Sequence, residues 1–148
     1  MDITPGEYTF REHTTGGPPD KIFEESCFLE RFRNMMVMED EDTLWLARAT
    51  PRAWLDQGQR IVVRRAPSHF GMVSYEILSD VEAGKITATV DLPSRRPPRT
   101  VRLRLRHPRA ARIRAVEVNG APWKDVDGER ELIHLHGQSG RIVVIAHY

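Results

Sequence analysis

Residues 28–55 read FLERFRNMMVMEDEDTLWLARATPRAWL, and the hydrophobic period changes within them. Up to Met38 the apolar side chains recur at helical spacing. Ile22, Leu29, Phe32 and Met36 share one face, with Phe28 and Met35 beside them. After Asp42 the period becomes two: Leu44 and Leu46 alternate across Trp45, as in a strand with one buried face. Between the two regimes, Glu39-Asp40-Glu41-Asp42 is expected to form a solvated acidic turn, because like charges in the last helical turn oppose the dipole. Pro51, Trp54 and Gly58 then mark a bend.

Upstream, Gly16-Gly17-Pro18-Pro19 is a loop signature, and Asp20 is placed to cap the helix that follows. Downstream, strand patterns recur at residues 60–65, 69–79, 85–92, 100–106, 113–118, 131–136 and 141–147. Val101, Leu103 and Leu105 alternate with Arg102, Arg104 and Arg106, so that strand covers a core on one side only. Asn119-Gly120 is a hairpin signal, since a type I′ turn needs positive φ at both central residues. The expected fold is mainly β: an antiparallel β-sandwich of about eight strands, preceded by a loop and one amphipathic helix. Residues 1–42 form the expected helical part and residues 43–148 the sandwich.

With 148 residues, 40% hydrophobic and 29% charged, the chain has the size and composition of one globular domain. It contains no apolar run of the ~18 residues a membrane span requires. The N-terminus lacks the basic-then-apolar order of a signal peptide, so a cytoplasmic location is expected. Cys27 is the single cysteine and is expected to pack as a small hydrophobe. Residues 1–50 carry 11 acidic and 5 basic side chains, against 10 and 17 in residues 51–148. The two halves can attract each other, so this asymmetry does not require a polyanionic partner.

The ordered pieces Arg33-Asn34-Met35-Met36-Val37, Leu44-Trp45-Leu46 and Pro51-Arg52-Ala53-Trp54-Leu55 resemble the closing segment of six-hairpin glycosidases, the alpha-L-rhamnosidase-like bacterial proteins among them. Phe70-Gly71-Met72-Val73-Ser74-Tyr75 and the hairpin Val116-Glu117-Val118-Asn119-Gly120-Ala121-Pro122-Trp123 extend the likeness, which covers residues 8–148. The resemblance implies a last barrel helix followed by a C-terminal sandwich that caps the barrel. The hydrolytic carboxylates of such enzymes lie upstream, on the barrel. It therefore implies a non-catalytic accessory domain, with no catalytic residue, metal or cofactor assigned to this chain.

The residues support few chemistries. Glycoside hydrolysis needs two carboxyl groups ~5–9.5 Å apart across the scissile bond, and the acids here cluster at what read as helix ends. Arg11, Glu12, His13 and Asp20 could line a sugar funnel if their loop precedes the last barrel helix; otherwise they belong to a polar arm. Trp123 is the candidate sugar-stacking aromatic, whereas Trp45 and Trp54 flank the bend and are expected to pack. His134 and His136 share a strand face but lack a third metal ligand nearby. Nine arginines between Arg95 and Arg114 lack interleaved aromatics, so a solvated face partly pairing with the acidic half is expected rather than nucleic-acid binding. The stripe of Ile22, Phe28, Leu29, Phe32, Met35 and Met36 requires a cover, either an upstream helical barrel or a second copy. The alternative reading is a stand-alone carbohydrate-binding module using exposed aromatics.

Overall fold

A computed structural model describes residues 22–148, with side chains from residue 25 onward, and the backbone of two short paired strands, β1 (Asp2–Ile3) and β2 (Phe10–Arg11). The chain divides into two compact units, residues 1–34 and 35–148. The only α-helix among the described residues, α1, runs Ile22–Met36. On it Phe28 and Phe32 stack at 6.2 Å, and Leu29 and Phe32 are exposed. Asp20, the expected cap, lies outside the described residues.

The helix stops two residues earlier than expected. Val37–Asp40 is strand β3, paired with β4 (Thr43–Leu46) through a turn at Glu41-Asp42. Val37 is buried and β-branched, and the ladder to Leu46 satisfies its backbone, so strand pairing wins over another helical turn. Glu39 and Asp40 are therefore strand residues rather than part of a four-residue acidic turn.

After β4, Pro51 leads into a 3-10 turn, Arg52–Leu55, whose Leu55 is buried. The remaining strands are β5 (Arg60–Ser68), β6 (Gly71–Asp80), β7 (Lys85–Leu92), β8 (Thr100–Arg104), β9 (Ala115–Val118), β10 (Ala121–Trp123), β11 (Val126–Asp127), β12 (Leu132–His136) and β13 (Gly140–His147). They form a six-stranded sheet, ordered β10-β9-β13-β7-β6-β5, and a five-stranded sheet, ordered β11-β12-β8-β4-β3. The fold is thus the expected β-sandwich, with eleven strands. All pairings are antiparallel except β4 with β8, which run parallel because the chain visits the other sheet between them.

The core lies between the sheets. Val73, Tyr75 and Ile77 of β6, Ala88 and Val90 of β7 and Val144 of β13 face Leu44, Leu46, Leu103 and Ile133 of the other layer, all buried. The alternation read in β8 holds: Val101 and Leu103 are buried and the intervening arginines are not. Asn119 and Gly120 take φ of 51° and 78°, as the turn between β9 and β10 requires.

Candidate functional site

Of the five residues the sequence offers for ligand binding, Arg11 lies in β2 with only its backbone described, and Glu12, His13 and Asp20 fall outside the described residues. Trp123 is half-buried on edge strand β10. Its indole Nε1–H donates to the carbonyl of His134 on β12, 2.9 Å away, so the ring ties one sheet to the other. It packs against the core and forms part of the wall of a shallow cavity of about 290 Å³ with Lys124 and Arg114. The indole N–H is thus not available to a sugar hydroxyl.

The most buried ionic group among the described residues is Glu131, which the sequence did not single out; it is 2% exposed. It closes the turn between β11 and β12 at φ 57°, a left-handed conformation costly for a residue with a Cβ. Arg52, delivered by the 3-10 turn, forks onto it: Nη1 reaches Oε1 at 2.7 Å and Nη2 reaches Oε2 at 2.8 Å. The backbone N–H of His107 donates to Oε1 at 2.9 Å, and Arg52 also donates to the His107 carbonyl. Hydrogen bonding to Glu131 raises the guanidinium's pKa above its ordinary value.

His107 is itself buried, its ring 4.9 Å from that of Tyr148. Its Nδ1 accepts the Arg109 N–H at 3.1 Å, so a neutral ring carries its proton on Nε2. Burial first, then the nearby Arg109, lowers its pKa below 6.5. The Tyr148 hydroxyl donates to the Leu105 carbonyl at 2.6 Å, and burial pushes its pKa up. Both oxygens of Glu131 are occupied by donors fixed in the fold. The arrangement fastens three loops at one end of the sandwich and leaves no carboxyl free to give or take a substrate proton. The only hint in the sequence was an acid set against the apolar strand Leu132–Leu135.

The other candidates resolve into local contacts. His136 lies between Thr100 Oγ1 at 3.2 Å and Asp125 Oδ2 at 2.8 Å. No group of three His, Cys, Asp or Glu side chains suited to a metal occurs among the described residues. Among the described residues the middle of the arginine run turns to carbonyls and a ring; the acids at 2, 7, 12, 20 and 24, five of the eleven in the acidic half, lie where no side chain is described. Arg102 lies over the Trp45 ring at 4.7 Å, Arg104 donates to the carbonyls of Arg130 and Arg48, and Arg106 donates to that of Thr50. Strand β8 sits mid-sheet beside β4, so carbonyls and the indole are the partners within reach. Among the described residues no helix is long and apolar enough to cross a membrane.

No protein-family model and no curated protein matches the chain. Among solved structures it is similar to the cycloalternan-forming enzyme of Listeria monocytogenes, with 8% identity and a TM-score of 0.49 over 71% of this chain and 10% of that one. It is similar to a glycoside hydrolase at 12% identity and TM-score 0.47, over 82% of this chain and 19% of that one. The third is the GH127 β-L-arabinofuranosidase of Geobacillus stearothermophilus T6, at 16% identity and TM-score 0.44, over 84% and 18%. The chain spans less than a fifth of each of these proteins. Likeness at this level carries nothing about activity.

Proposed function

We propose that this chain is a non-catalytic accessory β-sandwich of a glycoside hydrolase-like protein, its helix docking against a helical barrel. The observation that carries the reading is the apolar side of α1. Leu29 is 64% exposed and Phe32 45% exposed on a helix that runs directly into the first sandwich strand. Large apolar side chains on one helical face need a cover, and each contributes about 1.5–3 kcal/mol when buried. The sequence resemblance to six-hairpin glycosidases supplies the kind of cover, a neighbouring barrel helix. The commitment of Glu131 to Arg52 supports a structural rather than a hydrolytic role for the sandwich.

The test is sedimentation of the chain by itself at increasing concentration. Without a barrel the exposed face pairs with a second copy, and Leu29→Glu with Phe32→Glu yields a monomer whose sandwich melts as before. An unchanged sedimentation profile in the double variant would refute the docking role.

A further inference from the structure

The outer face of the six-stranded sheet carries an open groove of about 510 Å³. Its geometry comes from an irregularity in the pairing of β5 with β6. Val63 pairs with Tyr75 and Ala66 with Val73, so Arg64 and Arg65 stand together opposite the single residue Ser74. In regular pleating two consecutive side chains point to opposite faces; a bulge lets both serve one. Arg65 is held at φ 50°, and its backbone N–H donates to Ser74 Oγ at 2.9 Å. A left-handed arginine is a strained position, and strain of this kind gathers where the chain aims a side chain.

A cross-strand row continues from the bulge: Ser74 faces Asp91 on β7, and Asp91 faces Arg141 on β13. Arg64, Arg65, Arg141 and Asp91 all line the groove and are exposed. None of the four has an ion-pair partner among the described residues. Glu76, one row along, is held by Arg60 at 2.8 Å, and Thr89 beside it offers a hydroxyl.

We propose that this groove binds an acidic oligosaccharide, one carrying uronate carboxylates. Arg64, Arg65 and Arg141 present forked donors that suit a carboxylate, which accounts for an anion. Asp91 in the same groove repels a run of phosphates and instead accepts hydrogen bonds from hydroxyls, while Ser74 and Thr89 both donate and accept. The occupant therefore carries isolated negative groups among many hydroxyls. An acidic peptide suits the site less: the groove lies on the face of the sheet, away from the free edge of β5, and a strand-like ligand lying there would find only side chains. The proposal stands on the groove alone and does not depend on the docking of α1.

Titration of the full chain with trigalacturonate, followed calorimetrically, tests it against maltotriose of equal length and a short poly-glutamate peptide. Saturable trigalacturonate binding is expected, with maltotriose and the peptide at least about tenfold weaker. Arg64→Gln and Arg141→Gln each weaken it about tenfold, the effect of losing a charge-assisted hydrogen bond. Arg112→Gln, which removes an exposed pair with Glu129 outside the groove, leaves it unchanged. No saturation by trigalacturonate, equal binding of maltotriose or the peptide, or undiminished binding in both groove variants would overturn the assignment.

Discussion

Removing the buried carboxylate at position 131 is the sharpest perturbation available to this fold. Glu131→Ala strips Arg52 of two hydrogen bonds and the His107 N–H of its acceptor at once. Breaking a fully buried pair by deleting one partner costs about 3–5 kcal/mol. Here the arginine side chain is 31% exposed and can partly rehydrate, while the glutamate side chain is only 3% exposed. The lower end, about 3 kcal/mol, is therefore expected. For a chain of this size that lowers Tm by about 6–12 °C.

Glu131→Gly loses the same contacts but relieves the left-handed backbone, so it should be about 1 kcal/mol less damaging than the alanine variant. Arg52→Ala should cost less than Glu131→Ala, and the double variant less than the sum, by about 1–3 kcal/mol of coupling. Urea and thermal melts followed by circular dichroism measure all four. A Tm for Glu131→Ala within about 2 °C of the parent, less than 1 kcal/mol on this scale, would show that the pair does not fasten the sandwich. Strict additivity in the double variant would show the same, and a glycine variant weaker than the alanine one would remove the strain argument.

Two further outcomes follow from the same region and its neighbour. His107 is held below its ordinary pKa, so the unfolded chain takes up a proton that the folded one refuses. Its contribution to stability is complete above about pH 6.5 and declines as pH falls toward the lowered folded value. His107→Asn keeps an acceptor for the Arg109 N–H, so its Tm should fall less than the parent's between about pH 7 and pH 5; parallel curves would discount the histidine. Trp123→Phe loses the hydrogen bond to His134 and some packing, a cost of about 1–2 kcal/mol in a urea melt, and a neutral result would mean the indole does not bridge the sheets.

What could be read in advance depended on how local the physics was. The Val101-Leu103-Leu105 alternation and the Asn119-Gly120 turn are decided by near neighbours, and both are present in the fold. Val37–Asp40 was missed because its acids hide the alternation and no glycine or proline separates it from α1. The parallel pairing of β4 with β8 joins segments more than fifty residues apart and exists only once the other sheet is in place. Glu131 was legible only as the first residue of a strand pattern, because its partner stands 79 positions away. The bulge left a trace that periodicity could have caught, since the inward positions slip phase between Val63 and Ala66. Of the sugar contacts expected from the sequence, Arg11, Glu12, His13, Asp20 and Trp123, only Trp123 has a described side chain, and its indole bonds across the sheets.

The placement of β13 shapes how the domain must be made. Among the described residues, its eight are the sole link, through backbone ladders, between the β9-β10 hairpin and the β5-β6-β7 meander. A nascent chain halted before Gly140 would display unpaired margins on both pieces, each open to pairing with another polypeptide. Completion of the sandwich thus has to wait for residues 140–147 to clear the ribosome, and a clip just ahead of them yields an aggregation-prone remnant instead of a smaller domain.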